Sequence, residues 1–196
     1  MIRIAPLAAL LLAASAGAAH AHVGDHGLGL AAGFAHPMTG LDHVLAMVGI
    51  GVWAAQRGVA DRRAVWTIPA AFVAMMLAGA VAGWTGLRLP MIEAGIVGSV
   101  VLLGLLLLGA PRLPSWAPVA TAAVFAVFHG YAHGAEIPVG GALAGYAAGF
   151  VAATIVLHAA GIGIGSALIR AAGALGPRGF GGALVLGGAA IAVGIA

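Results

Sequence analysis

The sequence predicts an all-α, polytopic membrane helix bundle, with a cleavable signal peptide over residues 1–21 followed by one domain, 22–196, of six transmembrane helices. Three observations predict it. Apolar residues make up 63% of the 196-residue chain and charged residues 7%, far from the balance of roughly one half and one quarter in soluble domains. The apolar residues come in runs near the ~20 needed to cross a bilayer as helix, separated by proline, glycine and arginine. The first run is shorter than the others and ends differently.

That first run starts with Met1-Ile2-Arg3, continues as Ile4 to Ala14 and ends in Ala19-His20-Ala21. A charged start, a short hydrophobic region and a small-x-small end mark a secretory signal peptide. Cleavage after Ala21 leaves His22 at the mature end, followed closely by Asp25 and His26.

The first span, Leu28 to Ala55, exceeds the ~30 Å hydrocarbon core at about 1.5 Å per residue, so it must bend or protrude. A residue before proline disfavours helical angles and proline suits the first helical position. This predicts His36 at a cap or kink, with Pro37 opening the spanning part. Gln56 to Arg63 then interrupts with three Arg. The later spans are read at Ala64 to Trp84, Met91 to Gly109, Ser115 to His133, Gly141 to Ile169 and Gly179 to Ala196, with Arg170 to Arg178 as a basic, glycine-rich link. The spacings Gly79-xxx-Gly83 and Gly141-xxx-Gly145-xxx-Gly149 let membrane helices approach closely.

Orientation follows from the positive-inside rule. With the mature N-terminus outside, the inner loops hold Arg57, Arg62, Arg63, Arg112, Arg170 and Arg178, and the outer loops only Arg88. Both mature termini are then periplasmic, in a multi-pass protein of the bacterial inner membrane.

Composition also excludes. Eight basic residues, all Arg, against five acids make no basic face, so no nucleic-acid partner is expected. Cys is absent, which removes disulfides, thiolate sites and thiol catalysis and leaves imidazole and carboxylate as the strong ligands. A nucleotide-binding loop ending in Gly-Lys is absent too, so the chain alone hydrolyses no ATP.

Two stretches carry the chemistry. His36, Asp42 and His43 fall in the outer half of the first span; His129, His133 and Glu136 close the fourth on the same side. An ionisable group in a membrane helix is a functional candidate, since hydrocarbon accepts it only at a cost of a few kcal/mol. His129, His133 and Glu136 share one helical face, and His36 and His43 are seven residues apart. Asp42 can coordinate or orient a ring. Glu93 starts the third span at the same level, where the helix dipole also accounts for an acid. An N and O donor set without thiolate suits nickel, cobalt, zinc or copper(II). His22 and His26 form a candidate outer arm for catching metal. His158 lies deeper, and as a lone membrane histidine is read as a packing residue.

The stretches His36-Pro37-x-x-Gly40-x-Asp42-His43 and Phe128-His129-Gly130-x-Ala132-His133-Gly134-x-Glu136 resemble the two signature motifs of the HupE/UreJ family, small membrane proteins associated with nickel-dependent hydrogenases and ureases. The resemblance covers essentially the whole chain. It implies that 22–196 is a transport domain with nickel or cobalt permease activity, supplying metal for enzyme maturation. It carries the metal-binding role onto His36, Asp42, His43, His129, His133 and Glu136. The metal ion is then substrate rather than permanent cofactor, and the partners are the ion, the bilayer and nickel-enzyme maturation proteins. A competing reading is a metal-binding accessory protein or metalloenzyme without transport. The spacing His129-x-x-x-His133 is that of zinc hydrolases, but Gly130 stands where their catalytic Glu would be. One His motif in the first span and one in the fourth also predict two inverted three-helix halves, as in secondary transporters.

Overall fold

A computed structural model describes residues 29–136 and 143–195. The expected signal peptide, the arm with His22 and His26, and Gly141 lie outside the described residues. Those described form helices and no strand. Helix α1, Leu30–Ala35, runs into a 3-10 turn, His36–Met38. Then follow α2, Leu41–Gly58; α3, Ala64–Trp84; α4, Ile92–Gly109; α5, Trp116–Ala135; α6, Leu143–Ala172; and α7, Leu175–Ala192.

Four helices, α3, α4, α6 and α7, are long and apolar enough to cross a membrane, and α1 with α2 qualifies as a fifth crossing if that bent pair is one span. The sixth expected crossing falls on α5, long enough at 20 residues but less apolar because it carries His129, Tyr131 and His133. Only 22–39% of the qualifying spans is buried inside the bundle. The rest is apolar and faces outward; Leu102, Leu105 and Leu108 along α4 are 45–48% exposed. Such a surface suits lipid, and the chain is a multi-pass helical membrane protein.

Lipid tails compete with apolar side chains on equal terms, so membrane helices are held largely by close backbone packing. Three pairs dominate: α3 with α5, α2 with α6, and α4 with α7. Each is seated on glycine. A Cβ at Gly79 or Gly83 of α3, or at Gly130 or Gly134 of α5, would overlap the backbone of the other helix. Gly51 and Gly161 play the same part between α2 and α6, and Gly104 and Gly181 between α4 and α7. Exchanging the first three long helices for the last three turns the pair α3–α5 into α6–α2 and leaves α4–α7 as itself. Those three pairings are the ones that two related halves would share, although the packing of α2 on α3 and α4 has no equally extensive counterpart. The core holds Met47, Ile50, Trp53, Ile68, Phe72, Met76, Leu103 and Leu184.

Two boundaries differ from the sequence reading. The first span opens at Leu41, not Pro37, because Pro37 sits inside the 3-10 turn and the break is made by Gly40, whose backbone is extended at φ −96, ψ 119. The segments on either side meet at 86°. The last helix runs from Leu175, not Gly179, and the expected link is mostly helical. Its turn is confined to Gly173 and Ala174, with Gly173 taking the positive φ of 56° that closes α6.

The arginine end is knit together. Arg57 donates to the carbonyls of Pro111 (3.2 Å) and Leu113 (3.0 Å), tying the last turn of α2 to the α4–α5 loop. Arg62 shares a cavity with Ser166 and Ile169 near the end of α6.

Candidate metal centre

The site begins with the bend. Thr39 donates its hydroxyl to the His36 carbonyl at 2.7 Å, closing the turn, and Gly40 starts α2 afresh with Asp42 in its first turn. His36 and His43 therefore belong to segments almost at right angles, not to one helical face. Both nevertheless reach His133, with ring centroids 4.7 Å and 4.3 Å away.

The other half comes from α5. His129 and His133 are buried there, and Glu136 follows the last helical residue. Each histidine is followed by a glycine that meets α3: Gly130 against Met76 and Gly134 against Ala80. The glycines set α5 hard on α3, while the histidines, one residue earlier and so about 100° round the helix, turn towards α2 and the bend.

The four imidazoles form a file rather than a ring. His36 contacts His133, His133 contacts His43, and His43 contacts His129 with centroids 5.0 Å apart. Burial is uneven along it. The side chains of Glu136, His36 and His43 are 63%, 34% and 12% exposed, and His133 and His129 are 5% and 0% exposed as residues. Glu136 and His36 form the most exposed end of the file, and His129 is its most buried member.

Hydrogen bonds select the free nitrogen at two stations. Asp42 Oδ1 lies 2.8 Å from His43 Nδ1 and also accepts the His43 backbone N–H. A carboxylate only accepts, so Nδ1 carries the proton and Nε2, buried and unpartnered, keeps its lone pair. Ser99 donates its single hydroxyl proton to the Ile96 carbonyl at 2.7 Å. Its oxygen must then accept from His129 Nε2, 2.9 Å away, which leaves His129 Nδ1 as the free lone pair, again buried and unpartnered. Both ring nitrogens of His133 are also buried without a partner. An unmet buried polar group costs about 1–3 kcal/mol, so these are the nitrogens with coordinating capacity to spare.

A divalent ion is the ligand that fits. His36, His133 and Glu136 each offer a donor atom within 4.8 Å of the others, and His36 Nε2 is 3.4 Å from Glu136 Oε2. Donors about 2.1 Å from one ion lie at most about 4.2 Å apart, so a small side-chain movement closes the set. Two imidazoles and a carboxylate suit a first-row divalent cation.

Glu93 stands apart, exposed in the first turn of α4. His158 is 2% exposed and lies in ring contact with Phe72, which also touches His129. Sequence reasoning passed over Ser99, although it is the only polar residue besides Glu93 in α4, and a hydroxyl isolated in an apolar helix is a usable signal. It also passed over Tyr146 and Phe150 of α6, whose rings flank His36, and Phe150 flanks His133 as well.

A family model described as HupE / UreJ protein matches residues 8–191. Protein HupE of Rhizobium leguminosarum bv. viciae is 46% identical over 176 residues, covering 90% of this chain and 91% of that protein. No solved structure matches the chain.

Proposed function

Since the chain belongs to the HupE/UreJ family, we propose that it is an inner-membrane permease that carries nickel, or cobalt, inward for the maturation of hydrogenase or urease. In this reading the signal peptide is removed after Ala21, six spans follow with α5 as the fourth, and both mature ends face the periplasm. The single observation that carries the proposal is the file of imidazoles whose free nitrogens have no partner among the described residues.

In this reading each residue has a task. Glu136 and His36, the most exposed of the set, would receive the hydrated ion and exchange its first waters for carboxylate and imidazole. His133, in contact with both His36 and His43, would pass it on by exchanging one neighbour for the other. His43 and His129 would hold it next, through the nitrogens that Asp42 and Ser99 leave free. Handing over by partial ligand exchange keeps any one position from binding too tightly to release. His22, His26 and Glu93 are proposed as outer contacts on the way in. The ion is substrate; the reading calls for no permanent cofactor, no catalytic residue and no nucleic acid.

Uptake of radioactive nickel and cobalt into cells lacking their own permeases tests it. The intact chain should accumulate metal, and His43→Ala and His133→Ala at matched membrane levels should abolish accumulation. A well-inserted chain that accumulates neither metal would rule the permease out.

A further inference from the structure

His158 has no ordinary reason to be where it is. It lies in the interior part of α6, 2% exposed, with both ring nitrogens buried and without a partner among the described residues. A packing histidine satisfies at least one nitrogen; this one satisfies neither, at a cost of about 1–3 kcal/mol for each unmet group. An apolar side chain of similar volume would fill the space without that cost. Its position is also rigidly fixed, because Gly51 of α2 is pressed against the His158 carbonyl and Gly161.

What surrounds it continues the file described above. Phe72, fully buried, touches His129 at 5.9 Å between centroids and His158 at 5.2 Å, the latter edge to face. One turn before His158, the buried hydroxyl of Thr154 donates to the Phe150 carbonyl at 2.9 Å and lies 3.7 Å from the thioether of Met76. The oxygen of Thr154 keeps acceptor capacity, and Met76 offers a soft, polarizable sulfur. Beside the route from His129 past Phe72 to His158, α6 and α3 thus carry two further heteroatoms, and His158 itself has one ring nitrogen with a free lone pair.

We propose that His158 is an inner station for the divalent transition-metal ion, taking it from His129 past Phe72. This rests on the permease reading and extends it, for it adds a site that the two sequence motifs do not contain. Of the five histidines in the described residues, it is the one outside both motifs.

The test uses the full chain reconstituted in liposomes, with nickel uptake and equilibrium nickel binding measured side by side for wild type, His158→Leu and His158→Gln. Leu and Gln are close in size, but only Gln carries an oxygen that can ligate the ion. A packing role ranks Leu above Gln, because a buried amide is costlier than a methyl group. An inner station ranks Gln above Leu. The expected result is an uptake loss of about tenfold or more in His158→Leu, a smaller loss in His158→Gln, and binding at the outer histidines within about twofold of wild type in both. Uptake by His158→Leu equal to or above that of His158→Gln overturns the proposal while leaving the permease standing. Absence of uptake by wild type removes both.

Discussion

The hydroxyl of Ser99 lies 2.9 Å from Nε2 of His129 while giving its proton to the Ile96 carbonyl, so the most buried imidazole of the file keeps its free lone pair on Nδ1, not Nε2. Ser99→Ala removes the acceptor and lets His129 take either tautomer and turn. Partners of this kind are worth about 10- to 100-fold in metal affinity elsewhere. A loss near the lower end of that range is expected for Ser99→Ala in equilibrium binding of nickel, with recovery in Ser99→Thr, which keeps the hydroxyl. Unchanged affinity in Ser99→Ala would show that the contact orients nothing.

Asp42 does the corresponding work for His43 with a charge added. Its Oδ1 accepts from both the ring Nδ1 and the backbone N–H of His43. Asp42→Asn keeps an oxygen in that place and loses the charge; Asp42→Ala loses both. Uptake should fall in the order wild type, Asn, Ala, with Ala lower than wild type by about tenfold or more. An Asp42→Ala protein that transports at the wild-type rate would exclude any role for this carboxylate in presenting His43.

Protons compete with the cation for the same lone pairs, since only neutral imidazole is a ligand. The sign follows: uptake is fullest where the imidazoles are neutral and declines as external pH falls and protons take their lone pairs. Initial rates at fixed free nickel and fixed membrane potential, measured across pH 5–8 or so, check this. A rate that rises on acidification would instead point to proton-driven movement.

Much of this site is legible in the sequence, for a physical reason. Ionisable residues in apolar runs are costly, so His36, Asp42, His43, His129, His133 and Glu136 stand out by chemistry alone, and the structure brings them to one end of the bundle. The geometry was harder to read. Pro37 draws attention as the helix breaker, yet the 86° bend is made by Gly40, because proline is compatible with a 3-10 turn and an extended backbone is not. His36 and His43, seven apart, look like neighbours on one helix face but meet only through His133. Ser99 and His158 depend on which helix packs against which, and a pattern of apolar runs without polar faces carries little of that. The glycines were half legible: Gly79 and Gly83 announce a close helix contact, but nothing in the spacing says that Gly130 and Gly134, inside the histidine motif, are its other side.

Those motif glycines give a test in which no ligand is touched. A methyl group at Gly130 would meet the backbone of Met76, and one at Gly134 that of Ala80. Backbone has no rotamer with which to move aside, so α5 must lift off α3 and carry His129 and His133 with it. Overpacking of this kind costs about 1–3 kcal/mol, and here it also spreads the donor atoms apart. Gly130→Ala and Gly134→Ala should each lower the thermal midpoint in detergent micelles and weaken nickel binding together. Gly98→Ala and Gly182→Ala, where an added methyl group meets nothing within 4 Å, should change neither. If the motif glycines tolerate alanine as well as the control positions do, then α5 does not need its close seat on α3, and the placement of both histidines by that seat is wrong.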